Sequence, residues 1–353
     1  MGKTLSVYVR RVGAIVVMAV VVAVPVAGQS SAAEAKASKS STASRTADGH
    51  PDLEGTWSFA TLTPLERPAA FAGKDVLSAD EATKLEEQAE QTRNVERVPK
   101  AGDPGGYNRF WFDNPTKVIR TRRTSLIVDP ADGKVPALTP AGEERQAARI
   151  AARRAAENPE DLPVYERCIL GYNSGPPIIP GGYNQNIQLF QTHDYFVIHN
   201  EMVHDARIVR MDGRPHLPAV LRQWKGDSRG RWEGDTLVVT TTNFTSTGTG
   251  TLMLDGNLAN PGLGWSPDEN LTLIERFKRA DGDTLIYEFT ITDPTVWTKP
   301  WTVSIPMTRS DEPLYEYACH EWNYAMRNIL SGARAAEKAG HAAAKTGSER
   351  NQR

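Results

Sequence analysis

From residue 184 onward the chain alternates between short strand-like runs and tight turns, and this pattern restricts the fold more than any other feature. The runs are rich in β-branched and aromatic residues, and turns such as Asp212-Gly213 and Asp281–Asp283 separate them. The predicted strands are Ile187–Gln191, Phe196–Asn200, Arg207–Met211, Val220–Trp224, Thr236–Phe244, Leu271–Lys278, Thr284–Thr292, Trp301–Met307 and Leu314–Ala318. Short strands at regular spacing indicate an antiparallel meander, and a long meander must close or stack to protect its edges.

The first strand contains Gly55 and Trp57, in the phrase PDLEGTWSF that starts at Pro51. A Gly-x-Trp in this place resembles the opening of lipocalin-like barrels, where the Trp plugs the barrel floor. We therefore expect a mainly β fold in which the meander closes into a lipocalin-like barrel. A two-sheet β-sandwich is the alternative, and two or three helices would lie at the periphery.

Two helical insertions are expected outside the meander. Ser78 and Glu81 form a capping-box pattern that begins a helix near 78–97, and Thr139 caps a second helix near 140–157. The phrase DPADG predicts a hairpin that joins 125–128 to 135–138. A third helix is expected over about 323–338.

The N-terminus predicts export. Lys3, Arg10 and Arg11 precede an apolar run, Val12 to Val26, that is short for a membrane span, and small residues follow it. We predict a signal peptide at 1–28, a disordered linker at 29–50, a single β-rich domain at 51–339 and a disordered tail at 340–353. The mature protein would then be periplasmic or secreted, without a stable membrane span.

The two cysteines, Cys168 and Cys319, predict one disulfide, because an even pair in an oxidising compartment usually forms a bridge. A catalytic thiol is the alternative. The bridge would pin the Pro- and Gly-rich loop 158–182, which is long for a compact domain.

Long phrases of the chain are similar to a large family of exported bacterial proteins. They are EMVHDARIVRMDGRPHLP (201–218), RQWKGDSRGRWEGDTLVVTTTNF (222–244), YEFTITDPTVWTKPWT (287–302) and YEYACHEWNY (315–324). The resemblance covers about Pro51 to Arg334 and implies export and one integrated domain. It implies no particular activity.

The corner between two predicted strands carries the main candidates for catalysis. His204 could act as the general acid or base, Asp205 or Glu201 could orient it, and Arg207 could hold an anion. The alternative is a structural corner stapled by an Asp–Arg pair. His320 and Glu321 follow Cys319, and the disulfide could bring them beside His204; alternatively, Glu321 and Asn323 only cap the last helix.

Further polar residues near this corner are candidates for substrate binding. They are His216, Arg214, Trp224 and Asn243. On the predicted strands, Glu275 shares a face with apolar residues and could be a general acid, unless that face points outward or the carboxylate meets an arginine. The glycines and alternating charges of 225–235 predict a solvated hairpin tip.

We expect no cofactor. We considered a metal site formed by the histidines, but the spacing of His193, His199, His204 and His216 matches no zinc-binding motif. A divalent metal is the alternative to this expectation. The formal net charge of −2 gives no reason to expect nucleic acid as a partner. The oligomeric state stays open.

These observations favour an exported, cofactor-independent enzyme, a lyase, isomerase or hydrolase, that acts on a sugar-derived or other small polar molecule through His204. The first alternative is a lipocalin-like protein that binds an apolar or aromatic small molecule. Its candidate contacts are Trp57, Trp111, Trp224, Trp232 and Phe196. A structural or interaction module on the cell surface is the second alternative.

Overall fold

The computed structural model describes residues 44–93, 115–245, 252–253, 264–265, 269–321 and 323–350. The predicted signal peptide, most of the predicted linker and Trp111 lie outside these residues. Within the described ranges, no helix combines the length and the apolar composition that a membrane crossing needs.

Ten strands form one sheet, and two further strands pair only with each other. The strands are β1 (Gly55–Ser58), β2 (Ile127–Asp129), β3 (Asn186–Gln191), β4 (Tyr195–Asn200), β5 (Ala206–Arg210), β6 (Asp227–Glu233), β7 (Thr236–Thr242), β8 (Leu252–Met253), β9 (Gly264–Trp265), β10 (Thr272–Arg279), β11 (Thr284–Thr292) and β12 (Trp301–Ser310). The separate pair is β8 with β9.

The large sheet closes into a nine-strand barrel, as predicted. The order is β1-β3-β4-β5-β6-β7-β10-β11-β12, and β12 pairs with β1 to complete the ring. β2 lies outside the ring, against β12. Every pairing within the ring is antiparallel except β5 with β6, which is parallel and joined only at Arg210 and Arg229.

That parallel junction corrects the predicted meander. The predicted strands 220–224 and 314–318 do not form, and β6 lies in the stretch that we interpreted as a hairpin tip. The segment 211–226 instead crosses from one barrel end to the other. The composition of β6 does not show the usual strand pattern. Its inward Gly230 packs against Val209 and Met211, and the neighbouring outward residues are arginines.

The predicted hairpin around DPADG is also wrong. β2 pairs with β12, through Ile127 and Val303, and not with 135–138. In place of a strand, 135–138 contributes one isolated bridge, between Leu138 and Trp297. Long-range pairing has therefore overridden the local turn signal.

Within the described residues, the α-helices are α1 (Ala79–Arg93), α2 (Pro140–Ala155) and α3 (Tyr324–Arg350). The capping box is formed, with the Glu81 backbone N–H donating to Ser78 Oγ at 3.2 Å and the Ser78 N–H donating to the Glu81 carboxylate at 2.8 Å. Thr139 Oγ1 accepts from the Gly142 N–H at 3.0 Å and caps α2. α3 runs to Arg350, through most of the stretch for which we expected a disordered tail.

The end of the predicted linker is also ordered. Arg45 forms two hydrogen bonds of 3.0 Å to the Asp235 carboxylate, in the turn between β6 and β7. His50 stacks on Trp232 with ring centroids 4.4 Å apart. Residues 44–50 therefore belong to the folded domain.

The barrel interior is a packed core. Inward residues of β11, such as Leu285, Tyr287 and Phe289, are fully buried, as their alternation in sequence requires. Trp57 is also fully buried at the end where β1 begins, where Arg279 stacks 4.9 Å from its ring centroid. A fully buried side chain adjoins no water-sized space, so these residues leave no room for a ligand among them.

The other end of the barrel is filled by residues 163–185, which we call the plug. Ile178 and Ile179 are buried in the barrel core, and the Ile178 N–H donates to Tyr287 Oη at 3.1 Å. The plug carries Cys168, whose predicted disulfide to Cys319 is formed, with a Cα–Cα distance of 5.6 Å. The long loop is therefore a core element pinned by a bridge.

Candidate functional site

The candidate site lies at the rim, the barrel end at which β4 ends and β5 and β6 begin. The corner between β4 and β5 is a 3-10 turn, Met202–His204, in which Val203 and His204 both have positive φ angles, of 62° and 50°. Successive left-handed residues that are not glycine store strain, which is common at functional sites. A hydrogen bond of 2.8 Å from the Asn200 N–H to the Asp205 carbonyl closes the turn.

His204 points into solvent beside a second histidine. The His199 ring, on the outer face of β4, lies perpendicular to it with centroids 4.5 Å apart. Burial lowers the pKa of His199, and the neighbouring His204 lowers it further. The exposed imidazole of His204 thus lies edge-to-face against the ring of His199, a pairing that the sequence prediction did not include.

Asp205 pairs with Lys225, not with His204. Lys225 Nζ contacts the Asp205 carboxylate and donates to the Ala206 carbonyl at 3.0 Å. Burial, together with the nearby Arg207, lowers the pKa of Lys225 overall, although Asp205 acts in the opposite direction. Lys225 lies at the end of the crossed segment, just before β6. No residue pattern in the sequence predicted its pairing with Asp205.

Glu201 is buried under the corner. Its carboxylate accepts from Asn186 Nδ2 at 2.8 Å and from the Tyr315 N–H at 3.4 Å. It therefore ties β3 and the C-terminal segment to the turn. In the described structure, neither Glu201 nor Asp205 hydrogen-bonds to the His204 ring, and the ring that packs against it is that of His199.

Arg207 is not free to hold a substrate anion. It lies inside the barrel and forms a bidentate pair with Glu275, with distances of 2.6 and 2.7 Å. Tyr287 Oη donates to the same carboxylate at 2.7 Å. Burial lowers the pKa of Arg207, but Glu275 more than offsets this and the net direction is upward. The network links β5, β10 and β11 to the plug, and its role is structural.

Three of the predicted substrate contacts instead build the crossed segment. His216 Nδ1 lies 2.9 Å from the Asp227 carboxylate, which also accepts from the Leu217 N–H at 3.0 Å. Burial alone would raise the pKa of Asp227, but these bonds and one from Arg229 lower it overall. Asn243, with a positive φ of 59°, donates to the Leu217 carbonyl at 2.9 Å.

Arg214 is the third of these residues. Its side chain is exposed, and its Nε lies 3.6 Å from the Asp212 carboxylate. Its backbone N–H donates to the same carboxylate at 3.2 Å. These bonds fix the turn at the start of the crossed segment and leave Arg214 without a contact to the corner.

Trp224, the fourth predicted substrate contact, lies at the rim next to the plug. The guanidinium of Arg167, from the plug, lies 5.7 Å from the centroid of its ring. Trp224 precedes Lys225 in the sequence, and Asp205, the partner of Lys225, follows His204. Arg167 was missed because only its position next to Cys168 marks it in the sequence.

The disulfide brings the C-terminal segment to the plug, as predicted. Asn323 Nδ2 donates to the Glu166 carbonyl at 2.9 Å, and Tyr317 stacks on Tyr183 with centroids 6.2 Å apart. The side chains of His320 and Glu321 are exposed, and within the described residues neither bonds to His204. Asn323 Oδ1 accepts from the Met326 N–H at 3.4 Å, which is the capping interaction we considered.

Among the described residues, no group of three or more His, Cys, Asp or Glu side chains is arranged to hold a metal ion. Comparison with family models, with curated proteins and with solved structures gave no match.

Proposed function

We propose that this protein is an exported enzyme, a lyase, isomerase or hydrolase, that acts at the rim on a sugar-derived or other small polar molecule. The observation that supports this proposal best is the exposed His204, which lies in a strained turn against the ring of His199. A preorganised imidazole at a barrel mouth is suited to proton transfer near neutral pH.

In this proposal His204 takes a proton from the substrate or gives one to it. His199 restrains the ring through the edge-to-face contact between the two imidazoles. Lys225 places a positive charge on the same side of the turn, where it would stabilise negative charge that develops on the substrate. The partly buried position of Lys225 strengthens such an interaction, because screening by water is reduced.

The packed interior favours this proposal over ligand storage inside the barrel. Trp57 and Phe196, two of the aromatic contacts considered for a bound apolar molecule, are almost completely buried by other side chains. An apolar ligand would have to displace them.

We also propose a periplasmic or secreted location. The Cys168–Cys319 bridge supports it, because structural disulfides persist mainly in oxidising compartments.

The decisive experiment is a turnover screen on carbohydrates and lactones with the wild type, His204→Ala and His193→Ala. His193 is the matched control, because it is an exposed histidine on the turn between β3 and β4, at the opposite barrel end. We expect His204→Ala to lower kcat by about 100-fold or more, the usual contribution of a general acid or base, and His193→Ala to be unaffected. Equal turnover by His204→Ala and the wild type, or no turnover of any compound, would refute the proposal.

A further inference from the structure

The Trp224–Arg167 stack at the rim contains a guanidinium that has no anionic partner. Within the described residues, no carboxylate forms an ion pair with Arg167, although most rim charges are paired. The Arg167 residue is partly exposed, while its Nη1 atom is buried and has no hydrogen-bond partner among the described residues. Buried guanidinium N–H groups without an acceptor are rare, because the lost hydration is not replaced.

The backbone that carries Arg167 is held rigidly. Its own N–H donates to the Pro163 carbonyl at 3.2 Å, and the next residue, Cys168, forms the disulfide. On the other side, the Glu166 carbonyl accepts from Asn323 Nδ2. The backbone at Arg167 is therefore fixed before any ligand arrives, and the contact with Trp224 restrains the guanidinium, which lowers the entropy cost of binding.

The surroundings select for negative charge. Arg167 lies over the ring of Trp224, and the next residue in sequence, Lys225, is also cationic and pairs with Asp205. A guanidinium carries its N–H groups in one plane. That planar set of donors matches a carboxylate, which can accept two parallel hydrogen bonds.

We infer that Arg167 and Trp224 form a carboxylate-binding subsite, and that the substrate is a small molecule with a carboxylate group, such as a sugar acid. This inference rests on the proposed function, because it specifies the substrate class of the His204 site. The subsite takes the anion-holding role that the sequence suggested for Arg207. The carboxylate binds at Arg167, and the rest of the molecule extends past Lys225 to the His204 ring.

The test uses the whole mature protein labelled with ¹⁵N at its tryptophan indoles, with the Trp224 signal assigned from Trp224→Phe. The probes are sodium acetate, sodium D-glucuronate and D-glucose, which is the neutral counterpart of glucuronate. We expect both carboxylates to shift the Trp224 signal and glucose to leave it in place. A shift of equal size with glucose, or no shift with either carboxylate up to about 100 mM, would overturn the inference.

Variants then locate the binding. We expect Arg167→Gln to weaken glucuronate binding by about tenfold or more, because two charge-assisted hydrogen bonds are lost. Arg167→Lys keeps the charge but not the planar pair of donors. Its affinity for glucuronate is therefore expected to lie between that of the wild type and that of Arg167→Gln. Arg231→Gln is the control, because Arg231 is exposed on β6 and pairs with Glu233. Unchanged affinity in Arg167→Gln contradicts the inference, provided that its disulfide and circular dichroism match the wild type.

His204→Ala separates this inference from the proposed function. We expect it to bind glucuronate with wild-type affinity while it loses turnover. Binding at Arg167 together with full turnover in His204→Ala would leave the subsite standing and remove the proposed chemistry. Loss of turnover in His204→Ala, together with no carboxylate binding, would leave the proposed chemistry standing and remove the subsite.

Discussion

The buried pair of Arg207 and Glu275 gives the sharpest prediction for stability. Glu275 is fully buried, the Arg207 side chain is 5% exposed, and two short hydrogen bonds join them. Glu275→Gln keeps the shape and an acceptor for Tyr287 but removes the charge. Because the Arg207 cation then stays buried without compensation, we expect a loss of about 3–5 kcal/mol in the free energy of unfolding.

A surface pair provides the matched control. Arg231 and Glu233 lie 2.6 Å apart, as close as the buried pair, but their side chains are 59% and 49% exposed. Water screens such a pair, so Glu233→Gln should cost less than about 1 kcal/mol. The two substitutions are chemically the same, and the contrast isolates burial as the cause.

Urea unfolding followed by tryptophan fluorescence measures both effects. With a slope of about 3 kcal/mol per molar, the Glu275→Gln midpoint should fall by at least about 1 M, and the Glu233→Gln midpoint should barely move. The double variant Arg207→Met/Glu275→Leu should be more stable than Glu275→Gln, because no charge is left buried, and it should keep its turnover. Equal losses in Glu275→Gln and Glu233→Gln, or a double variant less stable than Glu275→Gln, would refute this reasoning.

Two further predictions concern the plug and the rim. Replacing Cys168 and Cys319 together by Ser should lower the free energy of unfolding by about 4–5 kcal/mol in the chain-entropy model, since the residues are 151 apart in sequence; a change below about 1 kcal/mol in urea titrations would contradict it. The pKa of His199 is lowered in the folded protein, so the unfolded chain takes up its proton first as the pH falls, and stability that is complete above the ordinary histidine pKa of about 6.5 should decline below it. His199→Asn should flatten that decline in melting temperatures measured between pH 7 and pH 5, and an unchanged profile would count against the assignment.

Much of the barrel was predictable because strand alternation is a local property. β10 and β11 follow their predicted bounds closely, since in each strand mostly apolar residues face inward at every second position. β6 was not predicted as a strand, because its inward positions hold a serine and a glycine among charged residues. A glycine that faces inward adds nothing to a hydrophobic alternation pattern. The crossed segment that it requires was misread as a strand, because Val220 and Leu221 are apolar although the fold exposes them.

The internal salt bridge could have been inferred from the same alternation. Glu275 lies between Leu273 and Phe277 on the inward face of β10, and Arg207 shares the inward face of β5 with Val209. Two opposite charges on the inward faces of a closed barrel have no solvent to face, so they must meet each other. The prediction of a closed barrel is therefore incompatible with the prediction that Arg207 is free to bind a substrate anion.

The rim could not be predicted in this way, because its residues meet through long-range contacts. Arg167 reaches Trp224 only since the plug enters the barrel, and Lys225 reaches Asp205 only since the crossed segment returns to the same end. Both contacts depend on one parallel pairing and one disulfide, and strand periodicity encodes neither. The unpaired Arg167 is consequently the feature of the site for which the three-dimensional fold was indispensable, and binding of a carboxylate there is its most direct test.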